Sequence, residues 1–198
     1  MKVAFGLKAH SGWAALVVLG AHDDGLHVVE RRRVELVDDG ASWAKQPYHA
    51  AQGLNPDEAR DVVRRGLEAA QRIAVREMRA AVKRAHQAGH RVVAAGVLVG
   101  DPMPDWSVEE ILAVHFRMHQ AEGALFRDAL VRAANACNLT LVAIPEKLLT
   151  EYATRALATP ASSWSEKIAI LGTSVGPPWG KDQKEAALTA MIALEGAA

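Results

Sequence analysis

The first 37 residues, MKVAFGLKAHSGWAALVVLGAHDDGLHVVERRRVELV, decide the fold, because they contain three apolar-leaning runs separated by two short turns. The runs cover residues 1–8, 13–19 and 26–37, and each is typical of a β-strand. The second turn contains Asp24 and Gly25, and an Asp-Gly pair supplies the positive φ that a tight hairpin needs. We therefore predict three consecutive antiparallel strands at the start of the chain.

The pattern then changes from strand to helix. Residues 38–54 lack a clear period, and we predict a loop there. Residues 55–58, Asn-Pro-Asp-Glu, combine a helix cap, a proline suited to the first turn and a glutamate at capping-box spacing. A long helix should begin at this point and end at Gly89. Residues 91–99 are almost wholly apolar, which is typical of a strand buried on both faces of a sheet.

The remaining chain continues this alternation of helix and strand. Ser107 and Glu110 have capping-box spacing and predict a second long helix over residues 107–137. Further predicted elements are a buried strand over residues 139–144, a helix over 145–158, a polar stretch and short apolar run over 159–171, and a last helix over 182–194. We predict an α/β fold in one domain, residues 1–198, whose mixed sheet has about five strands, three antiparallel and two parallel, with helices on both faces.

The composition argues against several classes of protein. The chain has 23 basic and 23 acidic side chains, and a net charge of zero is unusual for a domain that coats nucleic acid. No segment reaches the roughly 18 to 20 continuous apolar residues of a membrane span, and the first twenty residues lack the pattern of a secretion signal. Cys137 is the single cysteine, so neither an internal disulfide nor a cysteine-based zinc site is expected. We expect a cytoplasmic protein with no membrane partner.

The order of elements resembles the ribonuclease H-like fold, and three local patterns resemble its RuvC-like branch. Residues 5–13, FGLKAHSGW, are similar to that family's opening strand and glycine turn. Residues 119–124, HQAEGA, are similar to a Gln-Ala-x-Gly stretch on one of its helices, and residues 182–188, DQKEAAL, are similar to its closing Asp-x-x-Asp-Ala pattern. The resemblance implies phosphodiester hydrolysis with two divalent metal ions, a DNA or RNA partner and a homodimer.

Only part of the acidic set required by that reaction is present. Two metal ions need several converging carboxylates, but Lys8 stands where the resemblance places an aspartate. Residues 97–99, Val-Leu-Val, stand where it places a glutamate, and the nearest acid is Asp101. Asp182 and Glu185 remain, and we expect Lys8 to pair with one of them in place of a metal. The sequence therefore predicts a degenerate active site, no cofactor, and a non-catalytic module that binds nucleic acid or protein.

Two alternatives remain open for these acids. Asp182 and Glu185 have the spacing of a capping box and could do no more than cap the last helix. Conversely, an active nuclease or hydrolase dependent on Mg²⁺ or Mn²⁺ could use a shifted catalytic site built from Asp101, Asp182 and Glu185, with His10 or His119.

Polar residues on the second long helix predict a cleft. His115, His119 and Glu122 share one helix face in its N-terminal half, which should lie near the carboxyl ends of the strands. Such a spacing can bind zinc or line a polar cleft, and a further zinc ligand would have to come from Asp101 or His10. Because the spacing is frequent by chance, we predict no metal here. The predicted lining of the cleft is Lys8, His10, His115, His119 and Glu122.

Two surface features suggest partners. Five cations lie opposite the apolar face of the first long helix and could follow a phosphate backbone, or form an ordinary solvated face: Arg65, Arg72, Arg76, Arg79 and Lys83. Residues 31–33, three arginines, could extend this basic stripe. Trp43 and Tyr48 lie in the predicted loop beside His49, and Trp179 lies in a second loop. These aromatic residues could contact a protein partner or fold back over the sheet edge.

Overall fold

A computed structural model describes residues 1–23 and 25–197, and it contains one mixed sheet of five strands in the order β3-β2-β1-β4-β5. The strands are β1 (Lys2–His10), β2 (Trp13–His22), β3 (Gly25–Glu35), β4 (Arg91–Val99) and β5 (Thr140–Pro145). The first three pair antiparallel, whereas β4 pairs parallel with both β1 and β5. The predicted sheet is confirmed, although Asp24 of the predicted hairpin turn lies outside the described residues.

Helices cover both faces of this sheet. They are α1 (Pro47–Ala50), α2 (Pro56–Gln87), α3 (Val108–Leu112), α4 (His115–Ala136), α5 (Leu149–Ala156), α6 (Ala161–Val175) and α7 (Lys181–Glu195), with short 3-10 helices at Ser42–Lys45 and Glu146–Leu148. One core contains α2 and α4, and the core on the opposite face contains α5, α6 and α7. None of the described helices is both long enough and apolar enough to cross a bilayer.

Strand β1 supplies side chains to both cores, because successive residues of a strand point to opposite faces. Phe5 and Leu7 pack in the core with α2 and α4. Gly6 faces the backbone of α7, and Lys8 points the same way. Lys8 is thus the one charged residue among the buried positions of β1, residues 3–9, which are covered on both sides.

Helix α7 lies directly on the sheet because glycines leave room for its backbone. A Cβ atom on Gly6 would lie 2.6 Å from the backbone nitrogen of Ala190, and closer still to the carbonyl oxygen of Ala186. A Cβ atom on Gly96 would lie 2.6 Å from Thr189 Cγ2 and 2.7 Å from its carbonyl oxygen. Side chains at either glycine would therefore push α7 away from β1 and β4.

The second long helix is interrupted, which corrects the prediction of one helix over residues 107–137. Ser107 caps α3 as expected: its Oγ accepts from the Glu110 backbone N–H at 3.1 Å, and the Glu110 carboxylate accepts from the Ser107 N–H at 2.8 Å. Val114 is then extended, with φ −134° and ψ 112°, and α4 begins afresh at His115. Ile111 and Met118 pack in the same small core across the break, so the apolar pattern runs through it unchanged.

Three other predictions need correction. Residues 38–54 contain a 3-10 turn and α1 instead of an unstructured loop, and elements of one turn are too short to show a period. Residues 159–171 lie largely within α6, where three serines near its start hide the helical pattern. Strand β5 is an edge strand in which Ile144 alone is fully buried, so the expected burial on both faces does not extend along it.

We expect Gly6→Ala to destabilise the fold by about 2–3 kcal/mol, because the added methyl group overlaps the α7 backbone. Urea denaturation measures this loss. Gly123→Ala is the matched control, since a Cβ atom there meets nothing closer than Arg127 Nη1 at 3.9 Å. Within a helix that change should be neutral or stabilising by about 0.5–1 kcal/mol. Unchanged stability of Gly6→Ala would contradict the close packing of α7.

Candidate functional site

A buried lysine lies at the centre of the candidate site. The Lys8 side chain is 6% exposed, and its ammonium group forms an ion pair with Glu185. The same Nζ atom lies 3.3 Å from Glu146 Oε1 and 3.4 Å from Asp182 Oδ1. The predicted pairing of Lys8 with the acids of the last helix is confirmed, and Glu146 is an additional partner. We call these four residues the Lys8 cluster.

The register of the parallel strands explains where Glu146 comes from. Leu7 pairs with Val97, so the next residues, Lys8 and Leu98, point to the same face. Leu98 pairs with Ile144 of β5, and Glu146 follows two residues later. The position beside Lys8 on β4 is therefore apolar, as predicted, and the nearby acid comes from the end of β5. The sequence alone does not assign Glu146 to the site, because its position depends on the register between β4 and β5.

Asp182 and Glu185 reach Lys8 from the first turn of α7. Residues three apart in a helix share a face, and here that face meets β1. Their expected alternative role as a capping pair is wrong, because the side chain of Gln183 accepts the hydrogen bond from the Gly180 backbone N–H at 2.9 Å. Both carboxylates are therefore available to the ammonium group.

Further cations balance the remaining negative charge. Arg127 Nη2 lies 2.6 Å from Glu146 Oε2, and Lys181 Nζ lies 3.7 Å from Glu185 Oε1. Burial opposes the charged form of Lys8, but the hydrogen bond to Glu185 and the neighbouring carboxylates outweigh it and raise the Lys8 pKa. Burial similarly opposes ionisation of Glu146, and Lys8 and Arg127 reverse this and lower the Glu146 pKa. Both shifts favour the charged forms of Lys8 and Glu146.

His10 lies beside this cluster, as predicted. Its Nε2 atom is 3.0 Å from Asp182 Oδ1, and its ring stacks on Trp13 with centroids 4.3 Å apart. The Arg33 guanidinium carbon lies 3.9 Å from the Trp13 ring centroid. His10 is therefore held by stacking on Trp13, with the Asp182 carboxylate beside its ring.

Asp101 lies nearby but has a different partner. It forms an ion pair with Lys147. Both residues line a cavity of about 420 Å³ together with Arg127, Glu146 and Glu185. Asp101 is thus close to the Lys8 cluster while its own charge is matched by Lys147.

A second polar group forms around three histidines. His49 of α1 lies against His115 and His119 at the start of α4, and one ring nitrogen from each lies within 4.8 Å of the others. The Nε2 atoms of His115 and His119 are 2.9 Å apart. His49 is therefore the third histidine of the group, and neither Asp101 nor His10, the two candidates for a further ligand, belongs to it. His49 lies in a stretch without a clear period, so nothing in the sequence links it to α4.

Glu122 forms two hydrogen bonds with His49 of this histidine group. Its side chain is 5% exposed and accepts from the His49 Nδ1 atom at 2.7 Å and from the His49 backbone N–H at 3.1 Å. His119 also lines a cavity of about 500 Å³ that shares Asp101 and Arg127 with the cavity beside the Lys8 cluster. The prediction of a single cleft is therefore wrong. The Lys8 cluster and the three histidines lie at two adjoining cavities.

The basic stripe on α2 is exposed, and part of it is already paired. Arg65 lies 3.6 Å from Asp61, Arg72 lies 3.4 Å from Asp38, and Arg76 lies 3.0 Å from Glu77. In the part of the chain that the structure describes, Arg79 and Lys83 form no ion pair with a carboxylate. Arg31 does not extend the stripe, because it donates to the carbonyl oxygens of Gly176 and Pro178, each at 2.7 Å.

The aromatic residues of the predicted loops fold back onto the protein. Tyr48 is 6% exposed, and Trp43 is half-buried beside Pro47 against Gly66 of α2. Trp179 donates its indole N–H to the Ile168 carbonyl oxygen at 3.0 Å. The expected partner surface at Trp43 and Tyr48 is therefore mostly occupied by packing within the chain.

Comparisons with known proteins agree with this fold. Neither a protein-family model nor a curated protein matches the chain. Among solved structures, RuvC of Thermus thermophilus in complex with Holliday junction substrate is similar at a TM-score of 0.50 and 13% identity, covering 97% of this chain and 92% of that one. A second structure of Thermus thermophilus RuvC has a TM-score of 0.46 and 12% identity, covering 96% and 92%. The chain has a RuvC-like form of the ribonuclease H-like fold.

We expect Lys8→Met to destabilise the protein by about 2–4 kcal/mol, because it leaves three carboxylates around a site without its central cation. Adding Glu185→Gln should recover part of that loss, since it removes one of the repelling charges. Urea denaturation of the two single variants and the double variant measures the coupling. Lys184→Met, at an exposed position on the same helix, is the control and should change little. Simple additivity of the two single changes would contradict the pairing.

Proposed function

We propose that this chain is a RuvC-like protein that binds nucleic acid and does not hydrolyse it by a two-metal mechanism. The observation that carries the proposal is the Lys8 ammonium group, which contacts Glu146, Asp182 and Glu185 together. These acids converge as metal ligands would, and the cation among them belongs to the protein itself.

An ammonium group cannot perform the chemistry of a divalent ion. A metal ion accepts electron pairs from a phosphoryl oxygen and from water, and it lowers the pKa of the bound water. Lysine has only N–H donors, which here point to carboxylates, and its positive charge repels a second cation. The Lys8 cluster can therefore hold the sheet and α7 together without activating a nucleophile.

The shifted acidic site is the weaker candidate. Its three acids each face a cation: Asp101 pairs with Lys147, while Asp182 and Glu185 contact Lys8. A metal ion bound by this set would have to displace these ammonium groups. We therefore favour the non-catalytic function over a Mg²⁺- or Mn²⁺-dependent hydrolase.

Nucleic-acid binding is supported by the fold and by the surface of α2. The solved structure with a TM-score of 0.50 contains a RuvC bound to a Holliday junction. In this chain the exposed cations of α2 provide a stripe suited to phosphates, and Arg79 and Lys83 are its members without a carboxylate partner among the described residues. A protein partner at Trp43 and Tyr48 is less favoured because Tyr48 is buried. We also propose a homodimer, which multi-angle light scattering tests.

We expect no cleavage of four-way junction or single-stranded DNA in Mg²⁺ or Mn²⁺. Gel analysis of labelled DNA measures it, and cleavage that disappears in Asp182→Asn would contradict the proposal. Lys8→Asp is the informative second variant, since it adds a fourth carboxylate and removes the ammonium group. Mg²⁺, which prefers oxygen ligands, should raise the melting temperature of Lys8→Asp and leave that of the wild type unchanged. An equal rise in the wild type would show that Lys8 does not exclude the metal.

We expect the double variant Arg79→Glu and Lys83→Glu to bind DNA at least about tenfold more weakly than the wild type. Its plot of log affinity against log salt should have a slope smaller by about 2, because two phosphate contacts are lost. Fluorescence anisotropy with a labelled four-way junction measures both quantities. Arg155→Glu is the control, since Arg155 is an exposed arginine on α5, across the sheet from α2. Failure of the wild type to bind would contradict the proposal.

A further inference from the structure

We propose that His49, His115 and His119 bind one divalent transition-metal ion, for which Zn²⁺ is the best match, and that Glu122 positions His49 for this role. The proposed site is separate from the Lys8 cluster and goes beyond nucleic-acid binding. It is built from α1 and the first turns of α4, two elements that are far apart in sequence.

The ligand atoms already lie close together. One ring nitrogen from each histidine lies within 4.8 Å of the other two, and the Nε2 atoms of His115 and His119 are 2.9 Å apart. Three nitrogens bound to tetrahedral zinc at about 2.0–2.1 Å lie about 3.3 Å from one another. His115 and His119 are one helical turn apart on the same face and both are exposed, so small rotations of their rings reach that spacing.

Glu122 fixes the orientation of His49. The His49 Nδ1–H donates to Glu122 Oε2 at 2.7 Å, and the His49 backbone N–H donates to Oε1 of the same carboxylate. With its proton on Nδ1, the imidazole presents the lone pair of Nε2 to an ion. A carboxylate that holds the non-ligating nitrogen is the usual second partner of metal-binding histidines. The buried position of Glu122 makes this a built arrangement and not an encounter of mobile surface groups.

The charge of Glu122 also favours a cation here. In the described part of the chain, no lysine or arginine pairs with this buried carboxylate, and His49 is the partner within ion-pair distance. The Lys8 cluster is the opposite case, because its carboxylates already surround an ammonium group. An ion held by the three histidines would offset the Glu122 charge across the His49 ring.

The ligand set selects the class of metal. Imidazole nitrogens suit Zn²⁺ and other late transition metals, whereas Mg²⁺ and Ca²⁺ prefer oxygen ligands. Three protein ligands leave a fourth position, which zinc sites of this kind fill with water or a small ligand. His119 lines the cavity of about 500 Å³, so that fourth position is accessible from it.

Metal titration of the full-length chain, purified without a histidine tag and treated with a chelator, tests the site. Competition with a chromophoric zinc chelator should show one Zn²⁺ per chain, and Co²⁺ should give the visible absorption of a four-coordinate nitrogen site. His119→Ala should weaken Zn²⁺ binding at least about a hundredfold, while His86→Ala, an exposed histidine at the end of α2, should leave it unchanged. Urea denaturation of the metal-free variants checks that His119→Ala is folded.

Glu122→Gln separates positioning from ligation. Because the amide keeps the shape of the carboxylate and loses its charge, the variant should still bind one ion with an affinity reduced about 10–100-fold. The Co²⁺ spectrum should keep its four-coordinate form. The proposal is overturned if the wild type shows no saturable binding, if His119→Ala keeps wild-type affinity, or if His86→Ala loses as much as His119→Ala.

Discussion

The close approach of α7 to β1 and β4 is the constraint on which the rest of the structure depends. Gly6 and Gly96 let two backbones touch where any side chain would hold them apart. This contact sets the distance between α7 and the sheet, and it brings the first turn of α7 to the end of β1. Asp182 and Glu185 reach a lysine on the strand below them for this reason.

The Lys8 cluster shows how three converging carboxylates can be held together by a lysine of the same chain. Carboxylates that converge in a partly buried place repel one another and need a positive charge between them. In this chain the charge is covalently attached to β1, so it can neither dissociate nor be exchanged. The nearby Arg127 contributes a second positive charge through Glu146. The acids therefore stabilise the packing of α7 on the sheet.

Short sequence patterns predicted most of the strands and helix starts. They could not predict which residues from distant parts of the chain meet at the two polar groups. The apolar runs predicted the five strands, and the caps at Asn55 and Ser107 predicted two helix starts, because each signal lies within a few residues. Glu146 could be assigned to the site only through the register of β4 and β5. His49 depends on α1, a helix of one turn with no periodicity of its own. The break at Val114 is hidden because the residues on both sides pack in one core.

The two outer strands of the sheet differ in length and are protected from joining a neighbouring sheet in different ways. β5 has six residues and ends in proline, which offers little backbone for pairing. β3 has eleven residues, a length that would present a long row of free backbone groups. Its three successive arginines place charge along that row: Arg31 holds the turn before α7, while Arg32 and Arg33 pair with glutamates of their own strand. The three arginines therefore disfavour pairing between β3 and a strand of a neighbouring molecule.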